Sequence, residues 1–118
     1  MPPGLQSKMN ISSGGDTMNV KLTFEQNTLT AYLSGEIDHH SARGIRQAVD
    51  ADIEKYRPDT LVLDFGRVNF MDSSGIGLIM GRYRMMKIAG GIVRIGNVPR
   101  HLERLIALSG IKQITEQG

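Results

Sequence analysis

The chain contains no cysteine and no tryptophan, and only 5% of its 118 residues are aromatic. Without cysteine there are no disulfide staples, thiolate metal sites or cysteine nucleophiles, so the fold is held by packing alone, a usage that fits a reducing cytoplasm. Few aromatic side chains means few platforms for stacking nucleic-acid bases, and 14 basic against 12 acidic residues leave a net charge of only +2, far from a polycation. Direct nucleic-acid binding is not expected. No apolar run approaches the roughly 20 residues of a membrane span and no basic-plus-apolar leader opens the chain, so a membrane role is not expected either. What is present, 40% hydrophobic and 22% charged residues in a short chain, is the composition of one globular domain with one core.

Charge is distributed less evenly than its sum implies. Residues 1–72 carry 7 basic and 10 acidic side chains, whereas residues 73–118 carry 7 basic and 2 acidic. A charged outer helix face accounts for this excess, and so does a surface for an acidic or phosphate-bearing partner.

Residues 1–17 mix Pro, Gly, Ser and isolated apolar residues without a period and read as a flexible leader, with the ordered domain over 18–118. Met18, Val20, Leu22 and Phe24 alternate with polar residues, Gln26-Asn27 makes a turn, and Leu29, Ala31 and Leu33 alternate again. This pattern predicts a hairpin whose second strand ends at Gly35. The period then changes toward 3.6, with Ile45, Val49, Ile53 and Tyr56 on one helix face, Asp38 or Ser41 as cap, and Arg57-Pro58 as terminator. Leu61-Val62-Leu63 predicts a central strand covered by helices on both faces. A helix over 73–89 broken by Gly90-Gly91, a strand over Ile92–Ile95, a helix after Pro99 ended by Gly110, and a final strand through Ile111 and Ile114 complete the chain. The expected fold is α/β with a mixed, mainly parallel sheet and packed helices, in the order β-β-α-β-α-β-α with an optional last β.

Chemistry is expected where Phe70-Met71-Asp72-Ser73-Ser74-Gly75-Ile76-Gly77 leaves the carboxyl end of the central strand and opens a helix. Asp72 or Ser73 can cap that helix, and an ordinary N-cap is the plain reading of the segment. On a helical wheel Ile76, Ile79, Met80, Tyr83 and Met86 face the sheet, whereas Ser74, Leu78, Arg82, Met85 and Ala89 face outward. Leu78 and Met85 on an outward face predict a docking surface beside the serines. Gly75, Gly77 and Gly81 each cost about 1 kcal/mol in a helix interior, which predicts close approach of another backbone.

Enzyme readings fare poorly. Met80 stands where a dinucleotide fingerprint needs a small residue, no phosphate-loop motif is present, and Ser73 and Ser74 lack the preceding glycine of a nucleophile elbow. His39 and His40 are adjacent and so do not share a helix face as metal ligands would. No catalytic residue, cofactor or metal is expected.

Gly35-Glu-Ile-Asp-His-His40 together with Asn69-Phe-Met-Asp-Ser-Ser-Gly-Ile-Gly-Leu-Ile-Met-Gly-Arg-Tyr83 resembles the anti-anti-sigma factors of the STAS domain family over residues 18–115. The His-His pair and the Ser-Ser doublet are most similar to its sporulation branch, the antagonists of an anti-sigma-F factor. The resemblance implies a non-enzyme. Its unmodified form binds an anti-sigma factor that is also a serine kinase and frees the sigma factor for transcription, and a metal-dependent serine phosphatase reverses the modification. It carries the phosphoacceptor to Ser73, with Asp72, Ser74 and Gly75 as neighbours. It also places Asp38, His39 and His40 beside the phosphoacceptor in the partner-contacting surface, and the docking surface expected on the helix adds Ile76, Gly77, Leu78, Arg82 and Met85. The alternative within the family is a nucleotide-binding regulatory domain of a transporter or stressosome-like assembly. Family members continue into a longer C-terminal segment, so an end at Gly118 predicts a shortened or absent last helix, and residues 1–17 have no family counterpart.

Overall fold

The computed structural model describes residues 19–111. The leader reading over 1–17, Met18 of the first strand and Ile114 of the optional last strand lie outside the described residues. Strand β1 (Val20–Glu25) buries Val20 and Leu22. It turns at Gln26 and Asn27, both left-handed with φ of 52° and 63°, the twist a two-residue hairpin loop requires and one that Asn tolerates. The Asn27 amide donates to Asp59 Oδ2 at 2.6 Å, and the Asn27 carbonyl accepts from the Asp59 N–H at 2.9 Å. The turn is thereby tied to the start of the central strand.

Strand β2 (Thr28–Ile37) buries Leu29, Ala31 and Leu33 as their alternation predicts, but it does not end at Gly35. Its pairing with the parallel strand β3 (Thr60–Met71) shifts register between Tyr32 and Ser34 and again between Gly35 and Glu36, then resumes through Ile37 and Met71. Gly35, at φ +76°, adopts the backbone of a bulge, which bends the strand without terminating it.

Helix α1 (His39–Tyr56) buries Ile45, Val49 and Ile53. Its cap uses both expected residues: Asp38 Oδ1 accepts from the N–H of Ser41 at 2.9 Å and of His40 at 3.0 Å, and Ser41 Oγ accepts from the Asp38 N–H at 3.0 Å. Helix α2 (Ser73–Ile88), strand β4 (Ile92–Gly96) and helix α3 (Arg100–Ser109) follow. The sheet order is β1-β2-β3-β4, with β1 antiparallel to β2 and the other neighbours parallel. The result is the expected mixed sheet and element order. Ile111, after the left-handed Gly110, is buried but helical rather than extended.

Helix α1 lies over β1 and β2, α2 lies over β3 and β4, and the two helices pack on each other. Leu61, Leu63 and Phe65 point into this interface and are fully buried. The expectation that both faces of β3 are covered is corrected here. Val62 is only half-buried, and its face of the sheet carries Tyr32, 43% exposed, above a depression lined by Lys21, Asp64, Arg67 and Asn97. An apolar triplet does not distinguish a doubly covered strand from one whose outer face is merely flanked.

The wheel for α2 is corrected as well. Leu78 and Arg82 are 5% and 6% exposed, not outward. A helix with a sheet below it and a second helix beside it buries an arc wider than one stripe, and on α2 the second neighbour is α1.

Candidate functional site

Met71 and Ile37 are paired residues of adjacent parallel strands, and the Asp72 N–H donates to the Ile37 carbonyl at 3.1 Å. Asp38 and Asp72 therefore leave the sheet side by side, and each is the N-cap of the next helix. Two capped helix N-termini, each with its partial positive charge, are thus presented at one edge of the molecule.

Asp72 Oδ1 accepts from the Ser74 N–H at 2.8 Å, and the Asp72 carbonyl accepts from Gly75 N–H at 3.0 Å. This fixes the first turn of α2 and leaves Ser73 as its exposed first residue. Among the described residues no hydrogen bond engages the Ser73 hydroxyl, and no histidine or carboxylate is hydrogen-bonded to it as a base. A serine hydroxyl without a base beside it lacks the activation that nucleophilic attack needs. Gly75 is buried, and a Cβ there would collide with Cγ and Sδ of Met71. The absence of a side chain lets α2 sit down on the end of β3, but what comes close is the Met71 side chain and not the expected backbone.

The other two helical glycines have no close neighbour of either kind. A Cβ at Gly77 or Gly81 would meet nothing within 4 Å. Both line a groove of about 480 Å³ between α1 and α2, together with His39, Ala42, Arg43 and Arg46 on one side and Ser74, Leu78 and Arg82 on the other. At its floor Arg82 Nε lies 2.8 Å from Asp50 Oδ1. The contact is an ion pair with poor hydrogen-bond alignment, since neither atom gains a well-directed hydrogen bond. Burial outweighs the attraction for both partners, pushing the Asp50 carboxyl up and the Arg82 guanidinium down from their ordinary values. At the cap, by contrast, the hydrogen bond from the Ser41 backbone N–H holds the Asp38 carboxyl below the usual 3.8.

The structure brings most of the anticipated residues to this edge. His39 and His40 are exposed in the first turn of α1, Asp38, Asp72, Ser74 and Ile76 are half-buried, and Gly77 is exposed. Leu78 and Arg82 are buried between the helices, so they support the surface from beneath instead of presenting it. Met85 lies 12 residues beyond Ser73, roughly 18 Å along the helix, and lines a separate cleft with Ile53, Pro58 and Gly90. Sequence reasoning missed Arg43 and Arg46, which with His39 form an i, i+4, i+7 row off the buried face of α1. It also missed Phe70, which is 50% exposed two residues before the cap. No cluster among the described residues could hold a metal ion, and none of the described helices is long and apolar enough to cross a membrane.

Comparison with known proteins agrees with the fold. The family model described as the STAS domain matches residues 19–116. An anti-sigma F factor antagonist of Paenibacillus polymyxa is 35% identical over 99 residues, covering 82% of this chain and 85% of the relative. The anti-sigma factor antagonist SpoIIAA in its unphosphorylated form superposes with a TM-score of 0.73 at 30% identity, over 80% of this chain and 83% of that one. The Bacillus cell fate determinant SpoIIAA in the phosphorylated form gives 0.66 at 30% identity, over 80% and 86%. The match runs through every described strand and helix, and the chain belongs to the STAS domain family, alongside the anti-sigma factor antagonists.

Proposed function

We propose that this protein is an anti-sigma factor antagonist controlled by phosphorylation of Ser73. Unmodified, it binds in the cytoplasm to an anti-sigma factor that is also a serine kinase and releases the sigma factor for transcription. Phosphorylation of Ser73 by that kinase ends binding, and a metal-dependent serine phosphatase restores it. The observation that carries this reading is the exposed hydroxyl of Ser73 at the first position of α2, directly after the capping Asp72 and next to the N-terminus of α1. Similarity to SpoIIAA, which is known in unphosphorylated and phosphorylated forms, supports it.

The energetics favour a switch that acts on binding rather than on the fold. A phosphate adds about −1.5 to −2 charges, and a helix N-terminus stabilises an anion by about 0.3–1 kcal/mol, so the free protein tolerates the group. Docking requires this edge to be desolvated beside the carboxylates of Asp38 and Asp72, and burying a dianion there opposes association. A loss of about 3 kcal/mol weakens binding about a hundredfold. The direct test is incubation with ATP and the anti-sigma factor, followed by mass analysis of the tryptic peptide containing Ser73. One phosphate on Ser73, absent from Ser73→Ala, is the expected result, and an unmodified peptide contradicts the reading.

A further inference from the structure

We propose that the groove between α1 and α2 receives an acidic segment of the anti-sigma factor, extending the docking surface from Ser73 along both helices. This rests on the function proposed above and adds the chemistry of the partner.

Two independent features point to it. Gly77 and Gly81 stand one turn apart on the α2 wall, and a Cβ at either would meet nothing within 4 Å. Internal packing therefore does not require them, although glycine is among the least favourable residues in a helix interior. An occupant that comes close to the α2 backbone does require them, because side chains there would fill the groove. The second feature is charge. The rim carries Arg43 and Arg46, both exposed, with His39 at the end near the caps. Among the described residues the only ion pair is that of Arg82 with Asp50. Asp50 also attracts Arg46 through space, but the groove lining itself carries three arginines and no carboxylate, so the groove as a whole is cationic. A carboxylate-bearing segment complements it, with guanidinium groups suited to paired hydrogen bonds with carboxylates.

The position also joins the groove to the switch. Ser74 lines the end of the groove next to Ser73, so a phosphate on Ser73 introduces an anion at the mouth of a site that selects anions. It would repel the incoming acidic segment and compete for the same arginines. Phosphorylation then weakens docking through charge at a shared surface, with no change of fold.

The test is titration of purified anti-sigma F factor with the full chain. The variants are Gly81→Leu, which fills the groove, and Arg43→Glu/Arg46→Glu, which inverts its rim, against Arg94→Glu/Arg104→Glu as an exposed-charge control elsewhere. The groove variants are expected to bind at least tenfold more weakly and the control within twofold of wild type. Added salt is expected to weaken wild type more steeply than Arg43→Glu/Arg46→Glu. The arginines are on the surface, so the double charge variant keeps the test valid if Gly81→Leu folds poorly. Unchanged binding by the folded groove variants while Ser73→Asp fails to bind overturns the groove and leaves the switch intact. No binding by wild type overturns the proposed function and this inference with it. Self-association of the wild type that the groove variants abolish, with partner binding unaffected, assigns the groove to a second copy of the chain and likewise overturns the proposal.

Discussion

Asp38 and Asp72 lie one residue beyond the paired Ile37 and Met71, and each turns the chain from its strand into a helix whose first N–H groups it caps. Residues 34 positions apart in sequence are brought to one edge by the register of two parallel strands. The register shift at Gly35 sets that pairing: were β2 to end there, the two caps would not be neighbours. The site is therefore a product of strand pairing first and of helix chemistry second.

The cap at Asp38 gives a pH dependence with a definite sign. Its carboxyl is held below 3.8 in the folded protein, chiefly by the Ser41 N–H, so the folded state favours the carboxylate. The contribution is present above the unfolded value and is lost as pH falls through the folded one. Urea unfolding of wild type and Asp38→Ala is expected to differ at neutral pH and to converge at pH below 3.8.

Asp52 has the opposite sign. It is 5% exposed on the buried side of α1, its Oδ2 lacks a partner among the described residues, and burial pushes its carboxyl above 3.8. Its contribution is largest below the unfolded value and is lost as pH rises through the folded one, leaving a desolvated carboxylate at neutrality. Asp52→Asn is expected to stabilise the fold at pH 7 by on the order of 1 kcal/mol, with the gain disappearing in acid, as read from urea midpoints across pH.

The helical glycines of α2 should respond in opposite directions. Gly75→Ala places a Cβ on the Met71 side chain and is expected to cost about 1–3 kcal/mol. Gly77→Ala enters open space and is expected to gain about 1 kcal/mol from helix propensity. Denaturant unfolding of the two variants checks both.

Much of this architecture is legible along the chain because local periods carry it. Alternation through Val20, Leu22, Leu29, Ala31 and Leu33 marks the hairpin, the 3.6 period of Ile45, Val49 and Ile53 marks α1, and Asp-Ser-Ser-Gly after an apolar run marks the start of α2. What escaped reading is nonlocal. Gly35 resembles a strand end until its pairing with β3 is seen, and Val62 resembles a doubly buried residue until the outer face is seen to be open. Leu78 and Arg82 look exposed on a wheel that has no place for α1. Arg43 and Arg46 gain significance only when the second helix supplies the far wall of their groove. Phe70 lay within the recognised motif, but its exposure depends on how β3 emerges from the sheet.

The central claim is that the chemical state of one exposed hydroxyl governs partner docking, and its most direct test is equilibrium binding of purified anti-sigma F factor to the unmodified protein, the form stoichiometrically phosphorylated at Ser73, and Ser73→Ala. Binding by the first and third with similar affinity, and about a hundredfold weaker binding by the phosphorylated form, is the result expected. Equal affinity of the phosphorylated and unmodified proteins would contradict the account.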